Sequence, residues 1–224
     1  MQDEYLFERL LRPGDTVVDI GANIGTLSLC ASSIVGDVGR VIAIEPHPRI
    51  FRYLRKNVQY NQRTNVICHN LAVGEADRLV SFSDKHSDDQ NSVTTTDQGR
   101  INVPMRTLDG LLSAIGQISL LKIDTEGYEK MVFAGGTETL RRTQAVYFEV
   151  SAHSYTRFNA SVPEVLAFLG KFDFSVYRFQ APTRLELIAA AAACDACENV
   201  LAIRPGSAFS MQRCQTLLGS SPQC

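Results

Sequence analysis

The sequence predicts an α/β fold: a single Rossmann-like domain with a mostly parallel, seven-stranded sheet, helices on both faces and an antiparallel terminal strand pair. Three observations predict it. Short β-branched runs alternate with segments of helical periodicity, the pattern of a parallel sheet covered on both sides. The first run, Val17-Val18-Asp19-Ile20, leads straight into a turn of small residues, Gly21-Ala22-Asn23-Ile24-Gly25, at the start of a helix. A second run, Val41-Ile42-Ala43-Ile44, ends in an acid, Glu45.

A short amphipathic helix comes first, with Tyr5, Leu6, Leu10 and Leu11 towards the core, stopped by Pro13-Gly14. Strands are expected at 16–20, 40–44, 65–69, 79–82, 103–106, 120–123 and 145–150, with a last pair at 174–179 and 199–203. Helices are expected at 26–34 and at 49–61, where Ile50, Tyr53, Leu54 and Val58 form one stripe. Further helices are expected from Thr107, with Leu108, Leu111, Leu112 and Ile115 inside, at 128–140 and at 162–169. An Ala-rich, helix-like stretch covers 188–193. Residues 84–99 are almost free of apolar side chains and read as a loop long enough to act as a lid.

The chain has 224 residues and a net charge of -2, an ordinary balance for one globular domain. Residues 1–13 would be an N-terminal helix, 14–150 a ligand-binding core and 151–224 a C-terminal helix and strand pair. The charge disfavours nucleic acid as a main partner. No apolar run approaches the length of a membrane span, and the N-terminus does not read as a signal peptide. The chain is therefore expected in the cytoplasm, with a homodimer compatible. Cys30 and Cys68 fall in core elements, and the Cys194-x-x-Cys197 spacing lacks the second close pair of a zinc knuckle. All six cysteines read as reduced thiols.

The turn and the distal acid together describe a nucleotide pocket. Gly21 and Gly25 let backbone turn tightly and approach a ligand, and the following helix aims its free amides at that point. A carboxylate at Glu45 can accept hydrogen bonds from two ribose hydroxyls. The middle glycine of the dinucleotide fingerprint is replaced by Asn23, which leaves no room for a close-packed pyrophosphate. An adenosine without phosphate fits better, and S-adenosylmethionine is the expected cofactor. A nicotinamide-dependent oxidoreductase is the alternative.

In order along the chain, VVDIGANIG (17–25), VIAIEPHP (41–48), LAVG (71–74), RTLDGLL (106–112), LLKIDTEGYE (120–129) and FEV (148–150) resemble the FkbM family of S-adenosylmethionine-dependent methyltransferases. The resemblance covers 14–150 and implies a class I methyltransferase sheet. It further implies that Asp19, Gly21, Asn23 and Gly25 line the methionine end of the cofactor. Glu45-Pro46 would hold the ribose, with Asn70 and Ala72 near the adenine. The family generally methylates oxygen, often on a sugar or natural product. Tyr128 departs from it, at a position often held by a small residue.

Methyl transfer to an alcohol needs an aligned acceptor and a base to take its proton. Asp124, at the tip of the central strand, is the leading candidate, with Glu126 next and His153 as an alternative. Asp124 and Glu126 also have a structural reading, as caps of the following helix. Glu149 and, in the polar loop, Asn91 and Ser92 are expected to contact the small-molecule hydroxyl acceptor. A second mechanism would place a divalent metal on Asp124, Glu149 and His153, but their spacing is no known signature and no metal is expected.

Overall fold

A computed structural model of the chain describes residues 2–84, 91–94, 101–181, 184–188, 197–214 and 217. The first half runs α1 (Gln2–Leu10), β1 (Thr16–Ile20), α2 (Thr26–Val35), β2 (Arg40–Ile44), α3 (Pro48–Tyr60), β3 (Val66–His69), β4 (Ala72–Gly74) and β5 (Arg78–Phe82). It continues with β6 (Ile101–Thr107), α4 (Leu108–Leu111), β7 (Ile118–Ile123), α5 (Glu129–Ala134), α6 (Thr137–Arg141) and β8 (Thr143–Val150). The last part holds α7 (Ala152–Thr156), α8 (Val162–Gly170), β9 (Ser175–Ala181), β10 (Arg184–Leu187) and β11 (Glu198–Ile203).

The main sheet has the order β10-β9-β11-β8-β7-β1-β2-β3. Strands β3, β2, β1, β7 and β8 are parallel, while β11 lies antiparallel between β8 and β9. It has eight described strands where seven were expected, because the short β10 turns back on β9. A second sheet, β4-β6-β5, was not foreseen as a unit.

Period-two alternation splits the core. Val18, Ile20, Ile42, Ile44, Leu121 and Ile123 pack on one face, with Phe133 of α5, Leu169 of α8 and Met105 of the small sheet. Val17, Val41 and Leu120 point the other way, onto Phe7 and Leu10 of α1 and Ala31 and Val35 of α2. Leu54 and Val58 of α3 cover Ala22 and Ala43. Each of the Val, Leu, Ile, Phe and Met side chains among these, fully buried, contributes about 1.5–3 kcal/mol.

Several elements differ from expectation. In α1 it is Phe7 that is fully buried, and Tyr5 is half-buried beneath the Arg9 guanidinium. The helix expected over 128–140 breaks at Gly135-Gly136, because a Cβ on Gly135 would stand 2.0 Å from the Gly74 carbonyl oxygen. The new helix α6 is started from outside by Asp109, which accepts from Glu138 N at 3.0 Å and Thr139 N at 2.7 Å. The helix from Thr107 stops at Leu111, its tail continuing only as turns.

Within the polar loop, Asn91–Thr94 pairs with β5 through a Phe82–Val93 bridge. The rest of the expected lid, 85–90 and 95–100, lies outside the described residues, as do 189–193 and Cys194. Among the described residues no helix is long and apolar enough to cross a membrane.

Candidate active site

The loop after β1 is shaped by close approach. A Cβ on Gly21 (φ 73°) would stand 1.8 Å from the Asp124 carbonyl oxygen. The amides of Gly21 and Ala22 both donate to the Ile44 carbonyl at 3.0 Å, tying the loop to β2. Asn23 takes a left-handed conformation (φ 52°), and its side chain accepts from Ile24 N at 2.7 Å. Gly25 (φ 94°) starts α2, and a Cβ there would fall 2.6 Å from Leu54.

Glu45 follows β2 and is 5% exposed. Its two oxygens accept from His47 N at 2.8 Å and Asn23 N at 3.0 Å. Burial pushes its carboxyl up to about 7, against those hydrogen bonds and the Lys122 charge. Asn70 donates to the carbonyls of Glu45 (2.8 Å) and Pro46 (2.9 Å), so its side chain braces the Glu45 turn.

Beneath the loop, Asp19 is buried and accepts from Ser28 Oγ at 2.5 Å. Lys122, its register partner on β7, places Nζ 3.1 Å from Asp19 Oδ1, 2.9 Å from the Gly21 carbonyl and 3.6 Å from Asp124 Oδ2. The contact with Asp19 Oδ1 is a charge contact, since no directed hydrogen bond reaches that oxygen. Burial works against the Lys122 charge, but Asp19 and Asp124 outweigh it and hold the ammonium above the usual lysine value. Sequence reasoning gave Lys122 no role. The available signal was a lysine inside a continuous apolar strand, Leu-Leu-Lys-Ile, which needs a buried partner.

The turn after β7 carries three acids with different tasks. Asp124 donates its amide to Ile20 O at 3.0 Å, and its side chain is 47% exposed. Glu126 takes φ 58°, a conformation that costs a residue with a side chain about 1–2 kcal/mol. Glu129 is fully buried and holds the turn from below, accepting from Thr125 N and Oγ1 at 2.9 Å and from Gly127 N at 3.4 Å. Burial pushes its carboxyl up to about 7. Arg157 donates to the Glu126 carbonyl from outside. The N-cap of α5 is Tyr128, without a side-chain cap bond.

Glu149 ends β8. Its Oε1 accepts from the Cys197 thiol at 2.9 Å, and burial raises its carboxyl while that bond opposes. Burial first, then Glu149, pushes the thiol up to about 11, so it stays a donor.

These strand ends open on a cleft of about 220 Å³. Of the residues singled out in the sequence, Gly21, Asn23, Glu45, Pro46, Ala72, Asn91, Asp124, Glu126 and Glu149 line it. Asp19, Gly25 and Asn70 stand behind the lining and shape it. Ser92 is buried away from it, its amide on Ser83 Oγ. His153 is exposed on α7 and outside the lining, so the cleft brings Asp124 and Glu149 together without it. Apolar lining comes from Leu71, Phe82 and Val93, a slot suited to a flat ring. Tyr128 adds an aromatic wall, its hydroxyl donating to Glu75 at 2.8 Å and accepting from Arg78 at 3.2 Å.

The residues fit an adenosine cofactor. A buried carboxylate with a raised pKa gains from further donors, and ribose supplies two. A parallel β3-β2-β1-β7-β8 core with its cleft at the strand C-termini is the architecture of the class I S-adenosylmethionine-dependent methyltransferases, and this chain is of that class. It belongs to the methyltransferase FkbM domain family, whose model matches residues 19–176.

Individual relatives agree. The chain is 24% identical over 184 residues to the 2-O-methyltransferase NoeI of Sinorhizobium fredii, covering 73% of this chain and 74% of that protein. It is 26% identical over 140 residues to the hexuronic acid methyltransferase AglP of Haloferax volcanii, covering 62% and 56%. A solved FkbM methyltransferase from Methylobacillus flagellatus KT shares the fold at a TM-score of 0.57 and 17% identity, covering 87% of this chain and 45% of that one. The chain spans 22% and 53% of the lengths of two further curated methyltransferases that it matches.

Proposed function

We propose that the chain is an O-methyltransferase acting on a hydroxyl of a sugar, polyketide or other small natural product, within one domain spanning 1–224. The observation that carries this is the placement of a half-exposed carboxylate, Asp124, in the same cleft as the buried, ribose-suited Glu45. The names of NoeI and AglP, a 2-O-methyltransferase and a hexuronic acid methyltransferase, support a sugar hydroxyl.

S-adenosylmethionine supplies an electrophilic methyl group on a sulfonium. Glu45 would accept the ribose hydroxyls, and Leu71, Ala72, Phe82 and Val93 would flank the adenine. Gly21 and Asn23 keep backbone, rather than side chain, against the methionine arm. Asp124 takes the acceptor hydroxyl's proton as the oxygen attacks, and Glu149 and Asn91 orient other acceptor hydroxyls. Glu126 stands beside Asp124 as the alternative base. No metal is required in this reading.

The test is release of S-adenosylhomocysteine in the presence of a panel of sugars and polyketide-like alcohols. Turnover with hydroxyl acceptors supports the reading, and turnover confined to amines or carbon acceptors overturns it.

A further inference from the structure

Lys122 is buried in a central strand, with 8% of its side chain exposed. A structural ion pair would need only Asp19, its register partner. The ammonium instead reaches two groups of the cleft lining, the Gly21 carbonyl at 2.9 Å and Asp124 at 3.6 Å. It thereby joins β1, the loop after β1 and the end of β7. The described lining holds four carboxylates, Glu45, Asp124, Glu126 and Glu149, and neither lysine nor arginine. Arg157 spends its guanidinium on the Glu126 carbonyl, outside the lining. The methionine arm of the cofactor ends in an ammonium and a carboxylate; the acids of this wall suit the ammonium, and where the arm runs then depends on how the loop carrying Gly21 is held.

We propose that Lys122 is a positioning residue for the methionine arm of the cofactor, fixing the Gly21 carbonyl against Asp124 so that the loop after β1 holds one course beside that arm. This rests on S-adenosylmethionine occupying the cleft. An ion pair at this depth stabilises a fold little compared with an apolar pair of the same volume, so the extra contacts mark a positioning role.

Two ligands separate this role from a merely structural one. Adenosine carries the ribose and adenine but no methionine arm, whereas S-adenosylhomocysteine carries all three. Lys122→Met should weaken S-adenosylhomocysteine binding roughly ten-fold or more by calorimetry and leave adenosine within about two-fold. That variant leaves Asp19 buried without its cation and can fail to fold. The double variant Asp19→Asn/Lys122→Met buries no unpaired charge and should show the same selective loss. Equal weakening of both ligands, or of neither, in whichever variant folds overturns the proposal. Wild-type protein that binds neither ligand overturns the cofactor reading itself, and the role of Lys122 with it.

Discussion

The carbonyl oxygen of Asp124 stands 1.8 Å from the point a Cβ on Gly21 would occupy. The two strand ends that build the cleft therefore touch backbone to backbone, and the glycine is what permits it. Lys122 fastens the same junction from below.

Gly21→Ala should push β1 and β7 apart at their ends. The added methyl has no space, and φ 73° is unfavourable for alanine. We expect a loss of about 1–3 kcal/mol in stability and weaker cofactor binding. Thermal unfolding and calorimetry check both, and an unchanged protein would show that the junction yields freely.

Glu45→Ala should weaken S-adenosylmethionine binding by one to a few orders of magnitude, at ~1.5–3 kcal/mol for each charge-assisted bond. In the wild type the carboxyl, raised to about 7, must ionise to accept both ribose hydroxyls. Below that pH, binding expels a proton. Affinity should rise about ten-fold per pH unit up to roughly 7 and then level off. Calorimetry in two buffers of different ionisation heat reads the released proton directly. A flat profile removes Glu45 from the ribose.

Asp124→Asn is nearly isosteric but cannot take a proton at neutral pH. Turnover should fall ~10²–10⁴-fold with little change in cofactor affinity. Chelator should leave wild-type activity intact. Activity lost to chelator and restored by magnesium would replace the base with a metal while leaving methyl transfer in place.

Glu129→Ala removes the acceptor for Thr125 and Gly127 and should cost about 1–3 kcal/mol. Glu129→Gln tests its titration. Its folded pKa of about 7 lies above the ordinary 4.5, so the native state binds the extra proton between those values. Stability from this group is then lost as pH rises from about 4.5 to 7, and flat above. Denaturant midpoints across that window should fall less steeply in Glu129→Gln than in wild type.

Much of the fold was legible in the sequence because continuous apolar strands and a 3.6-residue stripe are local signals. Strands 16–20 and 40–44 match the structure residue for residue, and Glu45 reads as a pocket acid because it directly follows such a strand. The glycine turn was legible too, since only small residues tolerate that geometry. What escaped depended on partners distant in the chain. Gly135-Gly136 breaks a helix because β4 runs against it, and Asp109 starts α6 from across the fold. Lys122 is marked in the sequence only as a lysine inside an apolar strand, and its partners appear only when parallel register sets it beside Asp19 and under Gly21. The acids after β7 look alike in sequence, yet Asp124 faces the cleft while Glu129 is sealed beneath the turn. Sequence determined the main strands and helices and the cofactor class, because these rest on local periodicity and on chemistry at strand ends. Tertiary structure alone decided which charges are buried and paired, because a side chain's surroundings are set by long-range packing.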